Sequence, residues 1–295
     1  MPFNNVADYA DYRSEGAWQQ SHYFKTGNPA TGVVGRWLDL SMGAGHPVIN
    51  FYAAAPLSAT PLTNVNGNKG VYTGPNPGTG KTKHLHTLTI DTTAVSVPSS
   101  YILADYLMYY PFIDTDSSDL QIMDNTATLP RYTTGEGVQC FVVSQGGMLG
   151  ANFNSVCTME YTNSDGVTGR TTTFALIGTP VTGVLVCAGS NATAATTTQC
   201  SPFVPLATGD KGIRSIQNVT VTTPIGGVCA FVLCYSLASI PQFTNVTQVE
   251  KTFFSRTGRA PMIYDGAFLH FLMTNSGTGG AAPGVLRSSL TFVWG

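Results

Sequence analysis

Between Lys211 and Pro241 the chain reads KGIRSIQNVTVTTPIGGVCAFVLCYSLASIP, and the second half of that stretch leaves few folds open. From Val228 to Leu237 the apolar side chains are almost unbroken. In an extended chain Phe231, Leu233, Tyr235 and Leu237 lie on one face, and Val228, Ala230, Val232 and Cys234 on the other. A strand that is apolar on both faces has to be covered on both, because exposed apolar surface costs about 25 cal/mol per Å². The first half alternates only loosely, with Ile213, Val219 and Val221 on one face beside Ser215 and Gln217. Between the halves, Thr223-Pro224-Ile225-Gly226-Gly227 supplies a reversal, since proline presets φ and the glycines accept positive φ. The stretch reads as a strand, a turn and the central strand of an all-β body.

Composition says more about the surface than about the fold. Only 10% of the 295 residues are charged, against about 25% in an ordinary soluble domain. Hydrophobic residues stand at 43%, so Thr, Ser, Asn and Gly have taken the place of charge. Such a surface fits a secreted, Thr-rich β protein, or a subunit hidden among neighbours, where charge is expensive to desolvate. A formal charge of −2 offers no basic stripe for phosphates, which sets nucleic acid aside as a partner. No run approaches the roughly 18 apolar residues of a spanning helix, so no membrane partner is expected. The opening MPFNNVADYADYRSEGAWQQ lacks the basic-then-apolar pattern of an export signal, which points to a reducing cytoplasm. The six cysteines then read as buried free thiols, and Cys187 with Cys200, flanking a polar loop, is the pair placed for an exception. Asn191, Asn218 and Asn245 match the glycosylation pattern and read as chance matches in a Thr-rich chain.

Taken in order, residues 4–16 carry helical spacing at Val6, Tyr9, Ala10 and Arg13, with Asn4 or Asn5 as cap. Residues 1–40 read as an extended N-terminal arm with this short helix, ending in a brief strand at Arg36–Leu40. Residues 41–295 read as the body. It opens with a Gly/Pro-rich loop over 41–82, long enough to be an interaction segment. Strands are expected at Lys83–Ile90, Tyr101–Ile113, Val138–Ser144, Cys157–Thr162, Val167–Ile177, Val181–Ala188, Ala267–Met273 and from Leu290 to the end. Asn163-Ser164-Asp165-Gly166 makes the pair around it a hairpin. The expected fold is an all-β antiparallel sandwich or barrel, with a jelly-roll among the arrangements open to it.

The chemistry-bearing motifs are thin. Gly74–Thr82 imitates a phosphate-binding loop, but Pro75 stands where the motif needs glycine, and Pro75 and Pro77 remove two backbone donors. The segment after it reads as a strand and not as a helix. His84 and His86 share a strand face with no fixed third ligand, so they read as a partly buried structural pair. Asp114, Asp116 and Asp119, with Asp124 behind them, offer oxygens to calcium but lack the EF-hand glycine and glutamate, and Asp and Ser also simply build turns. The same carboxylates could be paired for glycosidase chemistry, but a loop fixes no distance between them. No Gly-x-Ser-x-Gly elbow is present, and His270 inside an apolar strand reads as a core histidine. No enzyme activity, cofactor or metal is expected.

The strings LPRYTTGEGV (129–138), PFVPLATGDKGIRSIQNVTV (202–221), IYDGAFLHFLM (263–273) and the terminal SSLTFVWG resemble virion structural proteins of tailed bacteriophages. So do DYRSEGAWQQSHYF (11–24) and GRWLDL (35–40). The resemblance implies a protein on or in the particle, as head decoration or cement, or in the tail. The long charged helix of the usual tailed-phage major capsid protein is missing, which implies an accessory role, and no functional residues carry over.

The sequence therefore leads to the expectation of a capsid decoration or cement protein, located in the virion after assembly in the host cytoplasm. Its partners would be the major capsid protein or other virion subunits, and copies of itself, with a trimer suiting a local three-fold site. Contacts are expected from the arm, at Tyr9, Tyr12, Trp18, Tyr23 and Phe24, and from the loop at 63–82. The alternative is a tail or spike protein with a receptor- or carbohydrate-binding role, using exposed aromatics and carboxylates around Tyr106–Asp119.

Overall fold

The computed structural model describes residues 11–27, 29, 35–64, 69–92, 98–147, 155–177, 181–187, 189, 201–244, 247–253, 260–275 and 285–295. Its strands, in chain order, are β1 (Trp18–Lys25), β2 (Trp37–Asp39), β3 (Gly45–His46), β4 (Thr60–Pro61) and β5 (Lys83–Thr92). Then come β6 (Ser99–Asp114), β7 (Gln121–Ile122), β8 (Val138–Gly146), β9 (Ser155–Asn163) and β10 (Arg170–Leu176). The last are β11 (Ile213–Val221), β12 (Val228–Gln242), β13 (Val249–Thr252), β14 (Leu269–Asn275) and β15 (Leu286–Trp294). They form three antiparallel sheets, so the all-β expectation holds. The central sheet has the order β2-β14-β6-β12-β8, with β4 also on β6; the second runs β13-β5-β15-β1-β3 and the third β10-β9-β11-β7.

The central sheet is built on β6 and β12, paired from Val228–Asp114 to Gln242–Ser99. Its two faces have different covers. On one face, the β12 residues Cys229, Phe231 and Leu233 pack with Met159, Phe174, Ile216 and Val219 of the third sheet. Further along the same face, Ala238 and Ile240 of β12 and Tyr101 and Leu103 of β6 pack with Leu85, Leu88, Leu290 and Phe292 of the second sheet. On the opposite face Tyr106, Val232 and Cys234 pack under Met42, Tyr52, Leu62 and Leu185, which come from the connecting segments. A bulge at Leu107 resets the alternation, so Tyr106 and Tyr109, three residues apart, share this opposite face.

The two small sheets meet over the middle of β6, and there the sequence places a charge. Asp105 lies between Leu103 of one core and Leu107 of the other. Arg131 holds it from both nitrogens of one edge, Nε to Oδ2 at 2.8 Å and Nη2 to Oδ1 at 2.7 Å. The same Nη2 donates to the carbonyl oxygens of Leu62 and Tyr106, both at 3.0 Å, where β14 stops pairing with β6 and β4 takes over. The Phe268 N–H also donates to Asp105, at 2.8 Å. Both charges are buried. Burial raises the Asp105 carboxyl, and the bonds and charge of Arg131 oppose that rise.

Four expectations are corrected. The turn at Thr223–Gly227 does not join a paired hairpin: β11 pairs with β9 and β7, and β12 with β6 and β8, so the chain crosses from one sheet to another. The expected strand at 181–188 makes only isolated bridges, Val184 to Leu38, Leu185 to Val143 and Cys187 to Leu176. The N-terminal segment does not reach away as an arm from residue 18 onward. Strand β1 pairs with β15 along its whole length, from Trp18–Val293 to Lys25–Leu286. The loop over 41–82 is a cover for the central sheet, with Tyr52, Leu62 and Val71 buried. Of the expected helix, residues 11–14 are helical and residues 1–10 lie outside the described residues. The expected hairpin does form, with Asn163 Oδ1 accepting the Asp165 and Val167 N–H groups at its turn. Cys187 is buried, and Cys200 lies outside the described residues.

Replacing Arg131 by Met leaves Asp105 buried without its partner. The expected outcome is a loss of about 3–5 kcal/mol, read from the midpoint of chemical denaturation at neutral pH. A change below about 1 kcal/mol would show that the seam does not depend on the pair.

Candidate interaction surface

Several of the chain's few charges sit inside the fold. Lys25, Arg36, Asp39, Lys83, Asp105 and Arg131 are all buried, out of 14 basic and 16 acidic residues in the whole sequence. Asp39, at the end of β2, accepts from the Ser41 N–H and Oγ at 2.9 Å, the Tyr106 hydroxyl at 2.9 Å and the Tyr52 hydroxyl. Burial raises its carboxyl, and those bonds work against the rise. Lys25 Nζ donates to the carbonyl oxygens of Gly43 at 3.0 Å and Pro47 at 2.6 Å. Burial lowers that amine to about 8, opposed by the negative charge of Asp39. His270 sits against Tyr106 and Phe268, with Nε2 2.6 Å from the Lys69 carbonyl oxygen and Nδ1 3.5 Å from the Tyr23 hydroxyl. Burial, and then the charge of Lys25, push the imidazole down to about 3. This is a core histidine.

The contact residues expected from the sequence divide along β1. Odd positions Ser21, Tyr23 and Lys25 are buried, and even positions face outward. Tyr23 is fully buried beside Phe271 and His270, so it cannot reach a partner, which corrects its place among the contact candidates. Trp18 is exposed with the Arg13 guanidinium 5.2 Å over its ring, and Phe24 is half-buried under Arg287. Tyr12 packs against Gly295 and lies near the Lys81 amine. Tyr9 lies outside the described residues. Within the loop at 63–82, Tyr72 is exposed while Val71 and Thr73 are buried.

The acidic turn does not gather its carboxylates. The Asp116 N–H donates to Asp114 Oδ1 at 2.8 Å, and the Asp119 N–H to Ser117 Oγ at 3.1 Å, so these side chains serve the turn itself. Among the described residues no three His, Cys, Asp or Glu side chains stand together as a metal site, Asp114, Asp116 and Asp119 included. His84 bonds to the Ala260 carbonyl oxygen and the Thr82 hydroxyl. Of the aromatic run expected to bind a receptor, Tyr106, Tyr109 and Tyr110 are buried and Phe112 is exposed.

An exposed apolar group is organised by Gln145, at the end of β8. Its Oε1 accepts the Phe112 N–H at 2.7 Å, its Nε2 donates to the carbonyl oxygens of Phe51 and Tyr52 at 3.2 Å, and its carbonyl oxygen accepts from Thr182 Oγ1 at 3.4 Å. Two connections and the end of β6 are thus tied at one point, each presenting an exposed apolar side chain: Phe51 at 59%, Val181 at 38% and Phe112 at 37%. Phe112 has φ +55° and Tyr52 φ +52°, a left-handed conformation that costs a non-glycine residue roughly 1–2 kcal/mol. At Phe112 that conformation turns the ring outward between buried Pro111 and Ile113. Two residues beyond Phe112, Gln121 holds the Asp114 backbone through both its amide atoms, fastening β7, where Ile122 is 68% exposed on a sheet edge. A polar residue that anchors loops by backbone bonds has no periodic signature, which is why Gln145 was not legible as an organiser.

No protein-family model matches this sequence, and no curated protein matches it. Solved structures to which the chain bears a slight likeness include the VP2 subviral particle of infectious bursal disease virus. That one shares 9% identity at a TM-score of 0.16, over 94% of this chain and 80% of the other. Another is the D431N mutant of VP2 of the same virus in T=1 particles, with 10% identity and a TM-score of 0.17, over 94% of this chain and 77% of the other. Likenesses this slight carry no conclusion about fold or function.

His270 gives the fold a pH dependence with a definite sign. Below its ordinary value of 6.5 the unfolded chain takes up a proton that the folded chain refuses until about 3, so stability is lost as pH falls through that window. Relative to a His270→Gln variant, the native chain is expected to lose about 1.4 kcal/mol more per pH unit between roughly pH 6 and 4. Urea denaturation across that range checks it; parallel curves would remove His270 as the cause.

Proposed function

We propose that this chain is a structural subunit of a virus particle, a decoration or cement protein that binds at junctions between capsid subunits. It works by being held from several sides. The observation that carries this reading is the exposed apolar group around Gln145, fixed in place by strained backbone at Phe112, on a chain that has drawn several of its few charges inward. A monomer free in solution gains nothing from holding Phe51 and Phe112 outward at a conformational cost, whereas a partner surface offsets it by burying both. Low surface charge favours the same event, because few ionic groups have to be stripped of water. The partners are the major capsid protein or other virion subunits, together with further copies of this chain, and a trimer would suit a local three-fold site. On the outward face of β1, Trp18 and Phe24 offer a further point of contact.

Electron microscopy of native particles carrying a tagged copy of the chain tests the reading. Many copies at symmetry-related sites are expected, and absence from the head overturns it. A Phe51→Ser variant gives the residue-level check. Its fold stability is expected to change by less than about 0.5 kcal/mol, while its incorporation into particles falls by about tenfold or more. Unchanged incorporation would place the contact elsewhere.

A further inference from the structure

A concavity lies away from the Gln145 surface, over Tyr235 and Ser236 of β12. Two cavities occupy it, of ≈ 810 Å³ and ≈ 710 Å³. Gly137, Tyr235 and Ser236 line both, so they are the two halves of one groove. Each half is within the roughly 300–1,000 Å³ of a ligand pocket, and two adjoining halves suit a chain-like ligand with a unit in each.

The groove is built, not left over. Tyr132 stacks on Tyr235 with ring centres 4.0 Å apart and planes 8° off parallel, and Tyr264 meets Tyr132 edge-on at 4.8 Å. Tyr132 is held at φ +49°, costly for an aromatic residue, with its carbonyl oxygen accepting the Gly135 N–H at 2.7 Å. Gly137 passes so close to Tyr235 that a Cβ there would lie 2.7 Å from the ring. Tyr264, beside Met262, remains 37% exposed in the opening. Arg131 lines the same cavity with its charge engaged by Asp105, and its Nη1 is buried with no acceptor among the described residues.

We infer that this groove binds a neutral oligosaccharide. Sugar rings are apolar on their C–H faces and polar at their edges, and the walls offer both characters together. Aromatic rings supply the first. Hydroxyl and amide groups supply the second, from Thr133, Thr134 and Ser236 in one half and Gln139, Ser201 and Thr208 in the other. The charges argue against an anionic ligand: with Arg131 neutralised by Asp105 and Asp210 paired with Arg170, Glu136 and Lys211 remain and offset each other. Phosphate, nucleic acid and acidic polysaccharide would each need net positive walls. The inference is independent of where on a particle the chain sits.

The test is an array of neutral and acidic oligosaccharides and proline-rich peptides probed with the full chain, followed by calorimetry on the strongest binder. The expected result is binding of neutral oligosaccharides, tighter for longer chains than for the monosaccharide and insensitive to added salt. Tyr264→Ala is expected to weaken it by about tenfold with the melting temperature kept, and Tyr264→Phe to preserve it. Binding confined to acidic glycans, binding confined to the peptides, no binding at all, or indifference to Tyr264→Ala would each overturn the inference.

Discussion

A strand of 16 residues rises by about 50 Å, and a partner of 15 residues lies beside it for nearly all of that length. Both β6 and β12 are apolar on both faces, so water has to be kept from both sides of a long ribbon. One small sheet is too short to do this. The chain answers with two, set end to end on one face, and with its long connecting segments on the other. The rest of the architecture follows from that division. Between the two covers there is a seam, and the seam cannot be filled by side chains reaching from either small sheet alone. Arg131 fills it from a loop, closing the break between β14 and β4 while it neutralises Asp105. The groove opens directly above this pair, walled by residues of the same loop.

The handling of charge links fold to proposed function. A chain with few ionic residues would be expected to keep them at the surface for solubility. Here several are drawn into the interior, and each one organises its surroundings. Asp39 gathers Tyr52, Tyr106 and Ser41, Lys25 gathers two loop carbonyls, and Arg131 closes the seam. The outer surface keeps the remaining charges, such as Lys81, Asp116, Glu136 and Lys211, spread among hydroxyls, amides and a few fixed apolar side chains. That balance suits a subunit surrounded by protein, and it also suits a groove that takes an uncharged, hydroxyl-rich chain.

Much of the strand inventory was legible because period-two patterning and turn residues are local properties. The hairpin across Asn163–Gly166, the bulky strand β6, and the terminal strand β15 each announced themselves by residues a few positions apart. The misreadings share one cause. Trp18–Lys25 looked irregular because its outward positions mix Trp, Gln, His and Phe, yet its inward Tyr23 packs on His270 and Phe271 and its strand partner is β15, both far along the chain. Residues 181–187 are apolar because Val184 and Leu185 fill gaps between elements, not because they form a strand. The run around Tyr106 looked like a binding surface only because nothing in the sequence shows that Tyr52, Leu62 and Leu185 come back over it.

What the sequence alone determined is that β12 must be central, that the chain is a β protein, and that its surface is poor in charge. Alternation along a strand states that a face is to be covered, and it does so within ten residues. It does not state by what, because the cover comes from positions far apart in the chain. The tertiary structure decided that β11 and β12 belong to different sheets, that Gln145 would tie two connections to the end of β6, and that three tyrosines from separate segments would stand around one groove. Those are long-range choices, made by loop closure and by the geometry of packing two short sheets on one long one, and no local pattern encodes them.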